Sequence, residues 1–117
     1  MMNQELKIKN SKKKIILSID TSSNKEIIVS LEINNKKYIT KQKIGLQKAQ
    51  VVLPMIDKLL KNHGLKINSF NKIEVNTGPG SFTGLRVGIA IANAFSFALG
   101  IPINNKKKRE FVHPQYG

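Results

Sequence analysis

The run Thr77-Gly78-Pro79-Gly80-Ser81-Phe82-Thr83-Gly84-Leu85-Arg86, leading into an uncharged stretch to Leu99, constrains this chain more than any other feature. It predicts a strand end, a glycine-rich turn and then a helix of small and apolar residues. Ser81 is the expected N-cap, and Gly100 with Pro102 marks the helix end. Within the helix Gly84, Gly88, Ala92 and Ser96 recur every four residues and form a ridge without bulk. Glycine costs about 1 kcal/mol in a helix interior relative to alanine, so that ridge needs a packing reason. Around it stand Phe82, Leu85, Val87, Ile89, Ile91, Phe95, Phe97 and Leu99. A helix apolar on all sides must be covered on all sides, and one sheet covers one face. Leaving half of these side chains in water costs about 6–12 kcal/mol, close to the whole stability of a small domain. The chain has few other helices to offer, so the expected cover is a second protein.

The turn itself makes a poor nucleotide cradle. A P-loop needs G-x-x-x-x-G-K-[ST], whose Lys reaches the terminal phosphates. Counting from Gly78, Thr83 stands at the second glycine, and Leu85-Arg86 follows Gly84 where Lys-Ser/Thr belongs. The dinucleotide fingerprint G-x-G-x-x-G fails at the same Thr83. Free N–H groups at the helix start leave anion binding open. Gly78, Pro79, Gly80 and Ser81 are read as a structural turn.

A chain of 117 residues fits one domain. Ile15 to Asp20 is a short apolar run that predicts a buried strand, Glu26 to Ile33 a second, and Lys36 to Lys43 a third after a turn at Asn34-Asn35. In Gln47 to Asn62 the period changes: Val52, Met55, Ile56, Leu59 and Leu60 form a helical stripe closed by His63-Gly64. Pro54 inside it must kink the helix or mark its first turn. Lys72 to Asn76 predicts a fourth strand and Ile101 to Ile103 a fifth. The order βββαβαβ gives an α/β fold with a mixed sheet, and fits one lobe of the ribonuclease H-like or actin-like ATPase (ASKHA) fold. The expected organisation is a basic flexible leader (1–14), the folded lobe (15–103) and a basic tail (104–117) that could supply a short edge strand.

Several chemistries find little footing. There is no cysteine, so there is no thiolate nucleophile, disulfide or cysteine-based zinc site. His63 and His113 are isolated from acids in sequence, no metal or cofactor site is expected, and Ser81 lacks a nucleophile elbow because Pro79 stands where its first glycine belongs. Asp20, at the end of the first strand, is the best candidate for metal or nucleotide chemistry. A phosphate loop of the actin-like type would read Asp-x-Gly-x-Thr, but here Ser22 replaces the glycine. A metal-dependent nuclease or nucleotide-binding enzyme centred on Asp20 is the alternative reading. Val87 to Ile103 is uncharged but contains Asn93, Ser96 and Pro102 and falls short of a membrane span. No signal peptide is expected, and the chain reads as cytoplasmic.

The net charge of +13 points to acidic partners, RNA foremost. Against that, 18 of the 20 basic residues are Lys, a bias that AT-rich coding also produces, and Arg86 and Arg109 are the only arginines. The lysine runs at Lys12–Lys14 and Lys106–Lys108 read as solvated faces or as a tRNA contact whose affinity would fall steeply with salt.

Three segments carry a family resemblance: Ile16-Leu17-Ser18-Ile19-Asp20-Thr21-Ser22, Leu53-Pro54-Met55-Ile56-Asp57-Lys58-Leu59-Leu60, and Gly78-Pro79-Gly80-Ser81-Phe82-Thr83-Gly84-Leu85-Arg86-Val87-Gly88 through Gly100-Ile101-Pro102. Over about residues 15 to 103 the chain resembles the TsaB family, the dimerisation subunits of bacterial tRNA threonylcarbamoyladenosine synthesis. The resemblance implies a non-catalytic scaffold that pairs with a TsaD-like catalytic subunit, with a small TsaE-like ATPase as a further partner and tRNA reached indirectly through the complex. It implies an interface built from both helices, with Val52, Met55 and Leu59 on one and Gly84, Leu85, Gly88, Ile89, Ala92 and Ser96 on the other. Gly88→Leu is then expected to abolish pairing while leaving the fold largely intact, and a homodimer is expected when the partner is absent. Two departures are visible: Lys48-Ala49-Gln50 stands where the family carries His-Ser-Glu, and the sequence stops at Gly117 where the family continues for about another lobe, which reads either as a compact single-lobe form or as a fragment.

Overall fold

The computed structural model describes residues 13–43, 48–107 and 110–115. The basic leader up to Lys12, the expected helix start at Gln47, and Lys108 lie outside them. Strands β1 (Ile15–Asp20), β2 (Glu26–Ile33) and β3 (Lys36–Lys43) form an antiparallel meander, and β4 (Lys72–Val75) joins β1 in parallel. The sheet order is β3-β2-β1-β4. Asn34 and Asn35 take positive φ at 50° and 73°, the left-handed pair that closes a two-residue hairpin.

Alternation along the strands decides the core. Leu17, Ile19, Val29, Leu31, Ile73 and Val75 are buried on one face and face one another in register. Helices α1 (Lys48–Asn62) and α2 (Phe82–Leu99) pack on that face and complete one continuous apolar cluster. The opposite face carries Ser18, Asp20, Ser30 and Glu74, which line a cleft of about 380 Å³ with Asn76 and Asn104. Pro54 sits in the second turn of α1 with its ring exposed, one turn beyond the first-turn position.

The fifth strand contracts to a single parallel bridge between Ile103 and Ile73. Pro102 has no N–H to donate, and Asn104 turns the chain away at φ 51°. The ladder is continued by a side chain instead: the Asn104 amide accepts from Val75 N at 2.9 Å and donates to Val75 O at 3.1 Å. The described tail forms no strand, and Phe111 lies against α2 with its ring centre 6.0 Å from that of Phe97. Val112 is buried, and its N–H and C=O both bond the Asn93 side chain at 3.0 Å.

Candidate functional site

Ser81 caps α2, its Oγ accepting from Gly84 N at 3.3 Å, and Gly100 ends it in the left-handed conformation. Asp20, Thr21 and Ser22 leave β1 directly beneath this helix start. The Thr21 hydroxyl donates to Gly84 O at 2.5 Å and accepts from Gly88 N at 3.1 Å. Those are the two groups that a regular helix pairs with each other, i to i−4. Ser81 N donates to Ser22 O at 2.8 Å, and a Cβ on Gly80 would lie 2.6 Å from Ser22 Cβ. The turn Gly78-Pro79-Gly80-Ser81 therefore rests on the β1–β2 loop in front. Behind it, Gln115 N donates to Thr77 O at 2.6 Å.

This arrangement overturns the assignment of the small-residue ridge to a partner. Gly84, Leu85, Gly88, Ile89, Ala92 and Ser96 are all buried in the chain's own interior, as are Val52, Met55 and Leu59. The ridge exists so that α2 can settle on Thr21: a Cβ at Gly88 would fall on the Thr21 hydroxyl. Gly88→Leu is consequently a lesion of the core rather than a probe of the surface.

The surface left open by the same helices consists of other residues. Phe82 and Phe97 are 58% and 53% exposed, and Leu53 on α1 is 50% exposed. Thr83, Arg86, Ala90, Ala94 and Ala98 complete the outward face of α2, with the Arg86 guanidinium 5.6 Å from the Phe82 ring centre. Val87 and Ile91 floor a shallow hollow of about 410 Å³ there. One turn on, Phe95 lines a groove of about 490 Å³ against Leu53, Leu60, Leu65 and Ile67. The signal for this face was the second four-residue repeat, Ala90-Ala94-Ala98, parallel to the glycine ridge.

Asp20 is engaged locally. Its Oδ1 accepts from Ser22 N at 2.9 Å and from Ser22 Oγ at 2.6 Å, while Asn76 Nδ2 donates to Ser22 Oγ at 3.2 Å. Burial pushes the carboxyl pKa up, but the bonds from Ser22 and Asn76 outweigh it and hold it below the ordinary carboxylate value. Among the described residues no three His, Cys, Asp or Glu side chains gather as a metal site. His63 packs its ring against Tyr38 at 4.2 Å, and His113 is exposed. By length and composition α2 could cross a membrane, at mean hydropathy 1.4, yet 33% of it is buried in this fold.

Comparison with known proteins places these features. The family model TsaD, described as tRNA N6-adenosine threonylcarbamoyltransferase, matches residues 26–105. The chain is 36% identical over 89 residues to the tRNA threonylcarbamoyladenosine biosynthesis protein TsaB of Buchnera aphidicola subsp. Baizongia pistaciae, covering 76% of this chain and 40% of that protein. It is 39% identical over 97 residues to TsaB of Buchnera aphidicola subsp. Schizaphis graminum, covering 76% and 42%. The structure of YeaZ from Pseudomonas aeruginosa superposes with a TM-score of 0.74 at 30% identity, covering 80% of this chain and 44% of that one. The chain thus spans about two-fifths of the length of these curated relatives.

Proposed function

We propose that this chain, which belongs to the TsaD family of tRNA N6-adenosine threonylcarbamoyltransferases, is a non-catalytic subunit in the formation of threonylcarbamoyladenosine on tRNA. In this reading it holds a TsaD-like catalytic subunit against the open face of α1 and α2, in the cytoplasm where tRNA is modified. A TsaE-like ATPase joins the assembly, and a second copy of the chain closes on the same face when the partner is absent. The relatives named as TsaB support the pathway.

The observation that carries the choice of surface is the outward side of α2. Across its 18 residues Arg86 is the one charged side chain, and Phe82 and Phe97 stand more than half exposed. Burying such a side chain contributes about 1.5–3 kcal/mol, so covering several is a strong drive to associate. The alanines at 90, 94 and 98 let another helix approach closely. A scaffold rather than a catalytic role is supported by the Asp20 loop, whose carboxylate is taken up by Ser22 and whose Ser22 carbonyl is taken up by the turn.

Co-expression with a TsaD-like subunit tests this. Ala94→Arg puts a long charge on the open face without touching the core, so co-purification is expected to be lost while the circular dichroism spectrum is kept. Retained binding would remove the interface from this face.

A further inference from the structure

The topology gathers charge at one end of the sheet that the proposed interface does not use. Lys13 and Lys14 enter β1 beside the β2–β3 turn, where Lys14 N donates to Asn34 Oδ1 at 3.0 Å and Asn34 N donates to Lys14 O at 2.9 Å. Lys36 and Lys37 leave that same turn. The α1–β4 connection returns to this end through Asn71, whose N–H donates to Ile15 O at 2.8 Å. All four lysines are exposed. Segments 13–14 and 34–37 contain no acid; the nearest one in register is Glu32, opposite Lys37, which also lines the cleft holding Asp20 and Glu74. Two lysines outside this end are neutralised locally: Lys61 pairs with Asp57 at 2.9 Å and Lys72 with Glu74 at 3.5 Å.

We infer that this hairpin end is a contact surface for the phosphate backbone of RNA, the choice of RNA among polyanions resting on the tRNA-modification reading. Lysine is a compact point charge suited to phosphate rather than to reading base edges, so the contact is independent of sequence. An anionic bilayer is the weaker match, because residues 13–14 and 34–37 present no apolar side chain to insert. Lys13, Lys14 and Lys36 lie at the end of the sheet away from Asp20 and the glycine-rich turn, and Lys37 lines the cleft on the sheet face opposite the helices, so RNA and the partner can be held together.

The test is fluorescence anisotropy of a labelled tRNA transcript with the full chain, between about 50 and 200 mM salt. The variant Lys13→Gln/Lys14→Gln/Lys36→Gln/Lys37→Gln is compared with a charge-matched control, Lys25→Gln/Lys58→Gln/Lys106→Gln/Lys107→Gln. Loss of four phosphate contacts is expected to lower the slope of log affinity against log salt by about 3 and to weaken binding at least roughly tenfold. The control should change less than about threefold. Equal losses in both variants, or tighter binding to phosphatidylserine vesicles than to tRNA, would overturn the inference. Lysine-reactivity footprinting of the unsubstituted chain reads the same contact without a mutation: tRNA should protect Lys13, Lys14, Lys36 and Lys37, and protection of Lys106 and Lys107 instead contradicts it. Co-purification of the hairpin variant with the TsaD-like subunit should be unchanged. A chain that takes up no partner yet shows this protection leaves the RNA surface standing and removes only the interface.

Discussion

The Thr21 hydroxyl stands between Gly84 O and Gly88 N and ties the end of β1 into the first turns of α2. In an ordinary helix, Gly→Ala would gain about 1 kcal/mol. At Gly88 the added methyl meets that hydroxyl, so Gly88→Ala is expected to destabilise the fold by about 1–3 kcal/mol in denaturant unfolding. Pairing it with Thr21→Ala should relieve part of the loss, whereas Thr21→Ser should not, since the hydroxyl remains. The neighbouring Asp20 gives the fold a pH dependence of definite sign. Because its folded pKa lies below the unfolded value, it stabilises the protein above about pH 4 and loses that contribution as pH falls through the folded value. Asp20→Asn should therefore lower the denaturation midpoint at pH 7, with the gap to the parent chain closing toward pH 3. An unchanged gap across that range would mean the carboxylate bonds with Ser22 do not favour the ionised form.

Among the elements, side-chain amides repeatedly finish what the backbone leaves open. Asn104 continues the ladder past Val75, Asn71 caps the start of β1 at Ile15, and Asn93 holds the tail at Val112. Asn93→Ala should release residues 110–115 and speed chymotryptic cleavage at Phe111, while amide protection in β1 and β4 stays as it was. Cleavage at the parent rate would mean that burial of Val112 and the Gln115–Thr77 bond secure the tail without Asn93. The first four strands and both helices were legible from the apolar run Ile15–Asp20, the β-branched stretch Glu26–Ile33, the helical stripe Val52–Leu60 and the cap signals Ser81 and Gly100. The inward side of α2 was not. Its glycine ridge and its alanine stripe share a four-residue period, and a helix apolar nearly all round offers no contrast to choose between them. Only the Thr21 contact, made across more than sixty residues of sequence, decides it. The same limit hid the tail: nothing local in Phe111-Val112-His113 announces that Val112 will be buried by Asn93.

At the scale of the whole molecule the chain divides its surfaces. One sheet face is spent on two helices, the hairpin end is basic, and the outward side of α2 is apolar and almost free of charge. The expectation that α2 needs more cover than one sheet provides fits its exposure: Leu85 and Ile89 are buried, while Phe82 and Phe97 stay more than half exposed. That mismatch is the physical ground for a partner on the helical face. Side-chain footprinting of the chain alone and with a TsaD-like subunit tests it most directly. Labelling of Leu53, Phe82, Arg86 and Phe97 is predicted to fall together on complex formation, with Ile39 on β3 unaffected. A complex that leaves Phe82 and Phe97 as reactive as in the free chain would contradict the account.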